Sequence, residues 1–471
     1  MYPKYMERYH LPQPRISNQD PNPVFDSLFD HPDLFDSLYI QSLHPYLPWK
    51  KFELKFKSGA FNLPNQPMIS VERLWSGLNF KRLSASRPSP VMVYQNQSPH
   101  HARVNYFRWV KTPFIEKTLH DFDMNIGGSS FSPSYKIDQS SRDFFIRKNI
   151  IEEAIASSQL EGAATTRSQA KQMLRENRRP RTRDERMIFN NYQTILKIER
   201  EIRHYPLSRD VLLDLHQIMT QDTLENVNQI GRWRNDDDEI VIQSFIDGED
   251  KILHVPPKQD YLQQELDRFI SYANDQEADD QYFTHPVIKA LILHFWFAYI
   301  HPFCDGNGRL SRSIFFWYLL RHDYHLVSYL PISKLIKDSA GQYRDAFLYT
   351  EQYGNDLTYF IDYNLTKITQ SLQEFDRHVE TVKNRREQAD LITPDIQLND
   401  RQKQLINHFI VKPNQPITAR KHADFHQVTW ITGKNDLKEL QQAGYLQTVK
   451  KSKEVLFVPT DKLLDATERL K

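Results

Sequence analysis

Cysteine occurs once in the 471 residues, as Cys304. One thiol excludes an intramolecular disulfide framework and any zinc site built on several cysteines, and it fits a reducing compartment. Long apolar runs are missing too. No stretch approaches the roughly 18 residues of a membrane-spanning helix, and the most apolar one, Ala290 to Ile300, contains His294 and reads as a core helix. The opening Met1-Tyr2-Pro3-Lys4 leads into polar, proline-rich sequence without the apolar segment of a secretory signal. Neither sign of charge dominates: 61 basic residues face 60 acidic ones, a net +1. Charge alone therefore predicts no strong affinity for nucleic acid or an acidic membrane. A cytoplasmic protein with no membrane partner is expected. Glycine is scarce, at 13 residues, or about 3% against a usual ~7%. A close pair such as Gly306-Asn307-Gly308 therefore stands out.

What is present suffices for sizeable cores: 39% hydrophobic and 26% charged residues, in a length that suits two to four domains. Residues 1 to about 60 are rich in Pro, Asp and aromatic residues, and the whole of 1–140 reveals no chemistry. Val71 to Trp75 and Val91 to Tyr94 fit strands or short helices, and Gly127 to Ser130 marks a loop. From 141 the periodicity improves. Phe144, Phe145, Ile150, Ile151, Ala154, Ile155 and Ser158 form a helical stripe that should stop near Glu161-Gly162. Thr166 to Gln169 resembles a capping box. Helices follow at Asn190–Arg203 and Ser208–Met219. Ile240 to Ile242 and Ile252 to Val255 flank Asp247-Gly248-Glu249-Asp250, a good hairpin turn. Helical sequence resumes at 259–273, 286–300, 309–321, 340–350 and 357–383. Val287, Leu291, His294, Ala298 and His301 are expected on one face of their helix.

The chemistry concentrates in His301-Pro302-Phe303-Cys304-Asp305-Gly306-Asn307-Gly308-Arg309-Leu310-Ser311-Arg312. Pro302 prevents regular continuation of the preceding helix. Glycines at the start of the next one let backbone N–H groups approach an anion, and the positive end of the helix dipole favours phosphate. Arg309 and Arg312, three apart, could grip successive phosphates. Asp305 offers one hard oxygen for Mg2+. His301 sits at the loop mouth, and the usual histidine pKa near 6.5 suits a general base near neutral pH. Separately, each residue has an ordinary structural reading as a cap, a solvated pair or a turn; within twelve residues in this order those readings lose force. The segment lacks the Gly-Lys-Ser/Thr ending of a Walker loop and the third glycine of a dinucleotide fingerprint.

At every defined position this stretch resembles the Fic family signature, His-Pro-Phe-x-Asp/Glu-Gly-Asn-Gly-Arg-x-x-Arg, and the resemblance extends over about 141–375. It implies a mainly α fold: a Fic-type helical core with a β-hairpin flap. It also implies a protein adenylyltransferase that moves AMP from ATP, with Mg2+, to Ser/Thr/Tyr hydroxyls of target proteins or of the enzyme itself, releasing pyrophosphate. In that scheme His301 is the catalytic base and Asp305 holds the metal. Gly306, Asn307 and Gly308 hold the α-phosphate region, and Arg309 and Arg312 the outer phosphates. The flap, preceded by Gly231 to Arg234 and carrying Leu253 and His254, aligns the target backbone. Family members often carry Tyr-Tyr and an Asn near the adenine; here Gln342-Tyr343 keeps one Tyr, and Asn355 follows a longer spacer. Ser157, Glu161 and Gly162 match the family's inhibitory pattern, which pairs Glu161 with Arg312 on a helix at about 144–162. In some relatives the same Glu helps remove AMP. Another nucleotide donor also stays open.

Residues 141–380 are thus expected to form the catalytic domain, 381–397 a linker, and 398–471 a separate module. Helices at 401–410, 419–425, 427–431 and 435–442 precede a hairpin, 444–449 with 454–458, resembling a winged helix-turn-helix. The segment 396–471 carries 13 Lys/Arg against 8 Asp/Glu. Arg420, Lys421 and His422, with Gln427, Thr429, Trp430 and Thr432 nearby and Lys450 to Lys453 at the wing tip, could contact DNA, which leaves a nucleotide-linked transcription regulator as a rival function. A protein partner or a homodimer suits the same wing equally well.

Overall fold

A computed structural model describes residues 30–63, 69–94, 106–125, 139–246, 248–276, 283–426, 428–451 and 454–468. Gly127–Ser130, Asp247, Gln427, Ser452 and Lys453 lie outside the described residues, as do the side chains of Phe144 and Phe145. The chain forms two compact units, Met1–Ser371 and Leu372–Lys471. Three two-stranded antiparallel hairpins are the sheets among the described residues; everything else regular is helical.

Among the described residues the first unit opens with α1 (Pro32–Gln41), α2 (Trp49–Lys57) and α3 (Val71–Ala85). Phe35, Phe52, Trp75 and Leu78 form their common core. Residues 71–75, open between strand and helix in the sequence, are helical because Ser70 caps the Arg73 amide. Strands β1 (Ser86–Met92) and β2 (Tyr106–Val110) pair. Strand β2 also bonds the loop near Asp356: Arg108 N–H donates to the Asn355 carbonyl at 3.0 Å, and Leu357 N–H to Arg108 at 2.7 Å. Helix α4 spans Pro113–Asn125.

Helices α5 (Gln139–Leu160), α6 (Arg167–Arg175), α7 (Arg183–Arg200) and α8 (Arg209–Thr220) follow, then β3 (Ile242–Ile246), β4 (Glu249–His254) and α9 (Gln259–Ala273). Next come α10 (Pro286–Ile300), α11 (Asn307–Arg321), α12 (Ile332–Lys337), α13 (Ala340–Gln352) and α14 (Thr358–Ile392). Helix α10 is buried on nearly every side and not only on the face of Val287, Leu291 and His294; even Lys289 is buried. Its neighbour α11 is likewise buried all round. A helix apolar on all sides shows no periodic stripe.

The second unit is described by itself. Helix continues to Ile392, through much of the stretch read as a linker, because Ala389 and Ile392 enter the unit's core with Leu405, Phe409, Leu437 and Phe457. The charged run near Glu387 hides those two contacts in the sequence. Helices α15 (Asp400–Val411), α16 (Ala419–His426) and α17 (Trp430–Gln442) precede the hairpin of β5 (Leu446–Lys451) and β6 (Glu454–Pro459), and α18 (Asp461–Glu468) follows. The two helices read at 427–431 and 435–442 are one helix: Thr429 caps the Thr432 amide, and α17 starts at Trp430. Among the described residues no helix is long and apolar enough to cross a membrane.

Candidate active site

The signature stretch occupies the turn from α10 to α11. Pro302 disfavours the right-handed helical conformation for the residue before it, and His301 adopts a left-handed one, φ 47° and ψ 62°. That conformation is sparsely populated outside glycine and needs support. Arg234 supplies it. Its Nε donates to the His301 carbonyl at 2.6 Å, and its Nη2 to the carbonyls of Ile300 at 3.1 Å and Pro257 at 2.5 Å. The sequence marks Arg234 only as part of the run before the flap.

The His301 Nδ1 lies 3.2 Å from the Ala298 carbonyl. A carbonyl only accepts, so Nδ1 carries the proton and Nε2 keeps a lone pair. Burial, helped by nearby His254 and Arg234, lowers the His301 pKa to about 3, so the ring is neutral.

Gly306 starts α11 with φ 84°, a value suited to glycine. A Cβ there would crowd Thr220. Asn307 clamps the loop, accepting from the Phe303 amide at 2.9 Å and donating to the Phe303 carbonyl at 2.8 Å. The first-turn N–H groups of α11, at Asn307, Gly308 and Arg309, have no intrahelical acceptor. Arg309 is fully buried. Its Nη1 reaches the Met219 carbonyl at 3.4 Å and its Nη2 stands 3.6 Å from Asp305, but its Nε and Nη2 have no hydrogen-bond partner.

Asp305 receives the Gly306 amide at 2.5 Å. Its backbone carbonyl is held by His216, a fully buried residue of α8. His216 accepts from Gly231 N–H at 3.1 Å through Nδ1, so its Nε2 donates to Asp305 at 3.0 Å. Its ring stacks on Phe303 at 3.7 Å, and Phe303 on Trp233 at 4.7 Å. Burial lowers the His216 pKa to about 4. Sequence reasoning missed His216: an isolated histidine on a helix gives no signal, and its partners lie far along the chain.

Arg312 turns to α5. Its Nε donates to Ser157 Oγ at 2.9 Å, and its Nη2 to the Ser157 carbonyl and to Glu161 Oε1, both at 3.0 Å. Glu161 follows the last residue of α5, and Gly162 turns the chain with φ 96°. The carboxylate also packs on Gly308, where any Cβ would collide with it. The helix itself is anchored elsewhere: Asn191 donates to the Ala154 carbonyl at 3.1 Å and Ser333 N–H to Glu153 at 2.9 Å.

In the flap, Leu253 and His254 are buried. Both nitrogens of His254 are engaged, with Glu351 at 2.9 Å and the Tyr299 carbonyl at 2.7 Å. Tyr343 lies on α13, its hydroxyl 2.8 Å from His294. Asn355 is used by the β2 bridge through its carbonyl. The structure thus brings together His301, Asp305, Gly306, Asn307, Gly308, Arg309, Arg312, Ser157 and Glu161, with the flap attached through Arg234. Among the described residues no cluster of three or more metal-ligating side chains occurs. Asp305 offers a single, partly exposed carboxylate, which fits Mg2+ held jointly with phosphate oxygens.

Residues 206–319 match the Fic/DOC family model. The match spans α8, the flap, α10 and most of α11, and includes His216 and Arg234. Over 71 residues the chain is 39% identical to Protein adenylyltransferase Fic of Aedes aegypti and 38% identical to that of Drosophila grimshawi. The matched stretch is 15% of this chain and 14% of the length of each relative. A crystal structure of a Fic family protein from Desulfovibrio desulfuricans G20 aligns with 75% of this chain and 98% of its own, at 18% identity and a TM-score of 0.49. With the full signature at the turn between α10 and α11 and the family match around it, residues 206–319 of this chain are a Fic domain.

Proposed function

We propose that the chain is a protein adenylyltransferase that moves AMP from ATP to a hydroxyl side chain of a target protein, and that Glu161 restrains it. The observation that carries this reading is the Glu161 carboxylate, paired with Arg312 at 3.0 Å and packed on Gly308 at the start of α11. An anion already rests where a helix N-terminus and an arginine would receive phosphate. The unpartnered donors of Arg309 support a second phosphate contact. Asp305 would hold Mg2+, which when bound neutralises phosphate charge.

His301 takes the hydroxyl proton on Nε2 while Nδ1 stays on the Ala298 carbonyl. The hydroxyl oxygen forms a bond to the α-phosphorus, the bond to the bridging oxygen breaks, and pyrophosphate leaves with that electron pair. Arg309, Arg312 and the first-turn amides act by positioning and charge stabilisation. The two-stranded flap suits strand addition by the target. In the second unit, three helices followed by a hairpin support the winged-helix reading.

The test uses α-labelled ATP and Mg2+ with wild type, Glu161→Gly, and Glu161→Gly/His301→Ala. Label should enter protein at least tenfold faster in Glu161→Gly and be lost in the double variant. Silence of all three with ATP, UTP and CTP would refute nucleotide transfer.

A further inference from the structure

Tyr343 keeps company that does not suit an adenine contact. Its ring packs among the protein's own aromatics: Phe347 at 5.2 Å, Tyr363 at 6.0 Å and Phe360 at 6.4 Å. Its hydroxyl lies 2.8 Å from His294 Nε2 and beside the Arg312 guanidinium. His294 is buried in α10, seven residues before His301, on the helix that carries the proposed base.

Donor chemistry fixes the direction of this chain. Arginine can only donate, so the Tyr343 oxygen faces Arg312 as acceptor. The phenolic proton then points to His294 Nε2, which must be unprotonated. Burial, and then the charge of Arg312, lower the His294 pKa to about 3, in keeping with that neutral ring. Burial pushes the Tyr343 phenol up to about 12, so it keeps its proton.

Arg312 therefore has two kinds of support. Ser157 and Glu161 hold it from α5, and Tyr343, backed by His294, stands beside it from α13. Under the proposed function Glu161 must withdraw for ATP to seat, while the second support stays.

We propose that Tyr343 and His294 are positioning residues that keep Arg312 aimed at the terminal phosphates once Glu161 withdraws, and that Tyr343 does not read the adenine. This inference rests on the proposed nucleotide reading of the site. A chain of donors aligned in a low-dielectric interior strengthens each link, so losing one link should loosen the guanidinium without disturbing the base pocket.

The experiment is equilibrium titration of ATP and of AMP, with Mg2+, into the full chain in the Glu161→Gly background. Tyr343→Phe removes one oxygen and keeps the ring. It should weaken ATP at least fivefold and leave AMP within twofold. His294→Leu should do the same, and the double variant should lose no more than either single one, because both act through one chain. His294→Gln, whose amide oxygen can accept the phenolic proton, should keep ATP within twofold and supplies the test if the leucine variant does not fold. Equal weakening of ATP and AMP would assign Tyr343 to the nucleobase and overturn the proposal, as would unchanged ATP affinity in Tyr343→Phe. A Glu161→Gly parent that binds no ATP, while melting like wild type, would overturn the nucleotide reading itself.

Discussion

At the scale of the residue, most of the site is held by bonds to backbone rather than by side-chain pairs. Arg234 fixes three carbonyls around His301, His216 fixes Asp305, and Asn307 fixes Phe303. We therefore expect Arg234→Gln, in the Glu161→Gly background, to lower kcat for label transfer at least tenfold with a smaller change in KM for ATP. The arginine holds the backbone of the proposed base, whereas the proposed phosphate contacts come from other residues. A change in KM alone would contradict this. The residues that touch the proposed substrates were legible in the sequence because twelve consecutive positions carry most of them. Glu161 was legible through its own short pattern. His216 and Arg234 were not, since their partners lie 89 and 67 residues away and no local spacing records such bonds. Tyr343 was visible, but its surroundings were not.

At the scale of the element, helix positions were read well wherever one face meets solvent. They were read equally well where burial is complete, since 286–300 coincides with α10, and poorly where a cap sits inside the expected helix, as Thr429 does in 427–431. The second unit has a comparable polar centre. Buried Asp436 accepts from Arg401 at 2.7 and 2.9 Å, from Asn399 at 3.0 Å, and pairs with His422 at 3.2 Å. These bonds tie α15 and α16 to α17. Removing one partner of a buried ion pair costs about 3–5 kcal/mol. Asp436→Ala should therefore melt Leu372–Lys471 well below wild type, read by amide exchange in α17, and leave exchange in α10 and α11 unchanged.

At the scale of the whole molecule, buried titratable groups link stability to pH. His216, His294, His301, His322, His325 and His426 all have folded pKa values lowered chiefly by burial. Between their ordinary value near 6.5 and the folded values, which reach about 3 or 4 for His216, His294, His301 and His426, the unfolded chain binds protons that the folded one refuses. Stability is thus full above about pH 6.5 and falls as pH drops, by at most about 1.4 kcal/mol per pH unit for each group. Glu153, raised to about 7 by burial, acts in the opposite sense below pH 7, as do Glu265 and Asp356, also raised by burial. The six histidines outnumber these three carboxylates. The thermal midpoint should drop by several degrees from pH 7 to pH 5; a rise would refute this balance.

The sequence divides near residue 140 into a part without recognisable chemistry and a part with it, yet strand β2 crosses that line. Arg108 exchanges backbone bonds with Asn355 and Leu357, Val110 N–H reaches Thr358 at 2.8 Å, and buried Arg82 donates to Tyr359 at 3.1 Å. A fragment trimmed to the recognisable part would strip these partners from the start of α14 and uncover apolar surface beside it. The segment ahead of the signature is therefore not a detachable appendage: protease mapping should find no stable product beginning near residue 140, and exchange of that segment between relatives would have to carry the 355–359 turn with it.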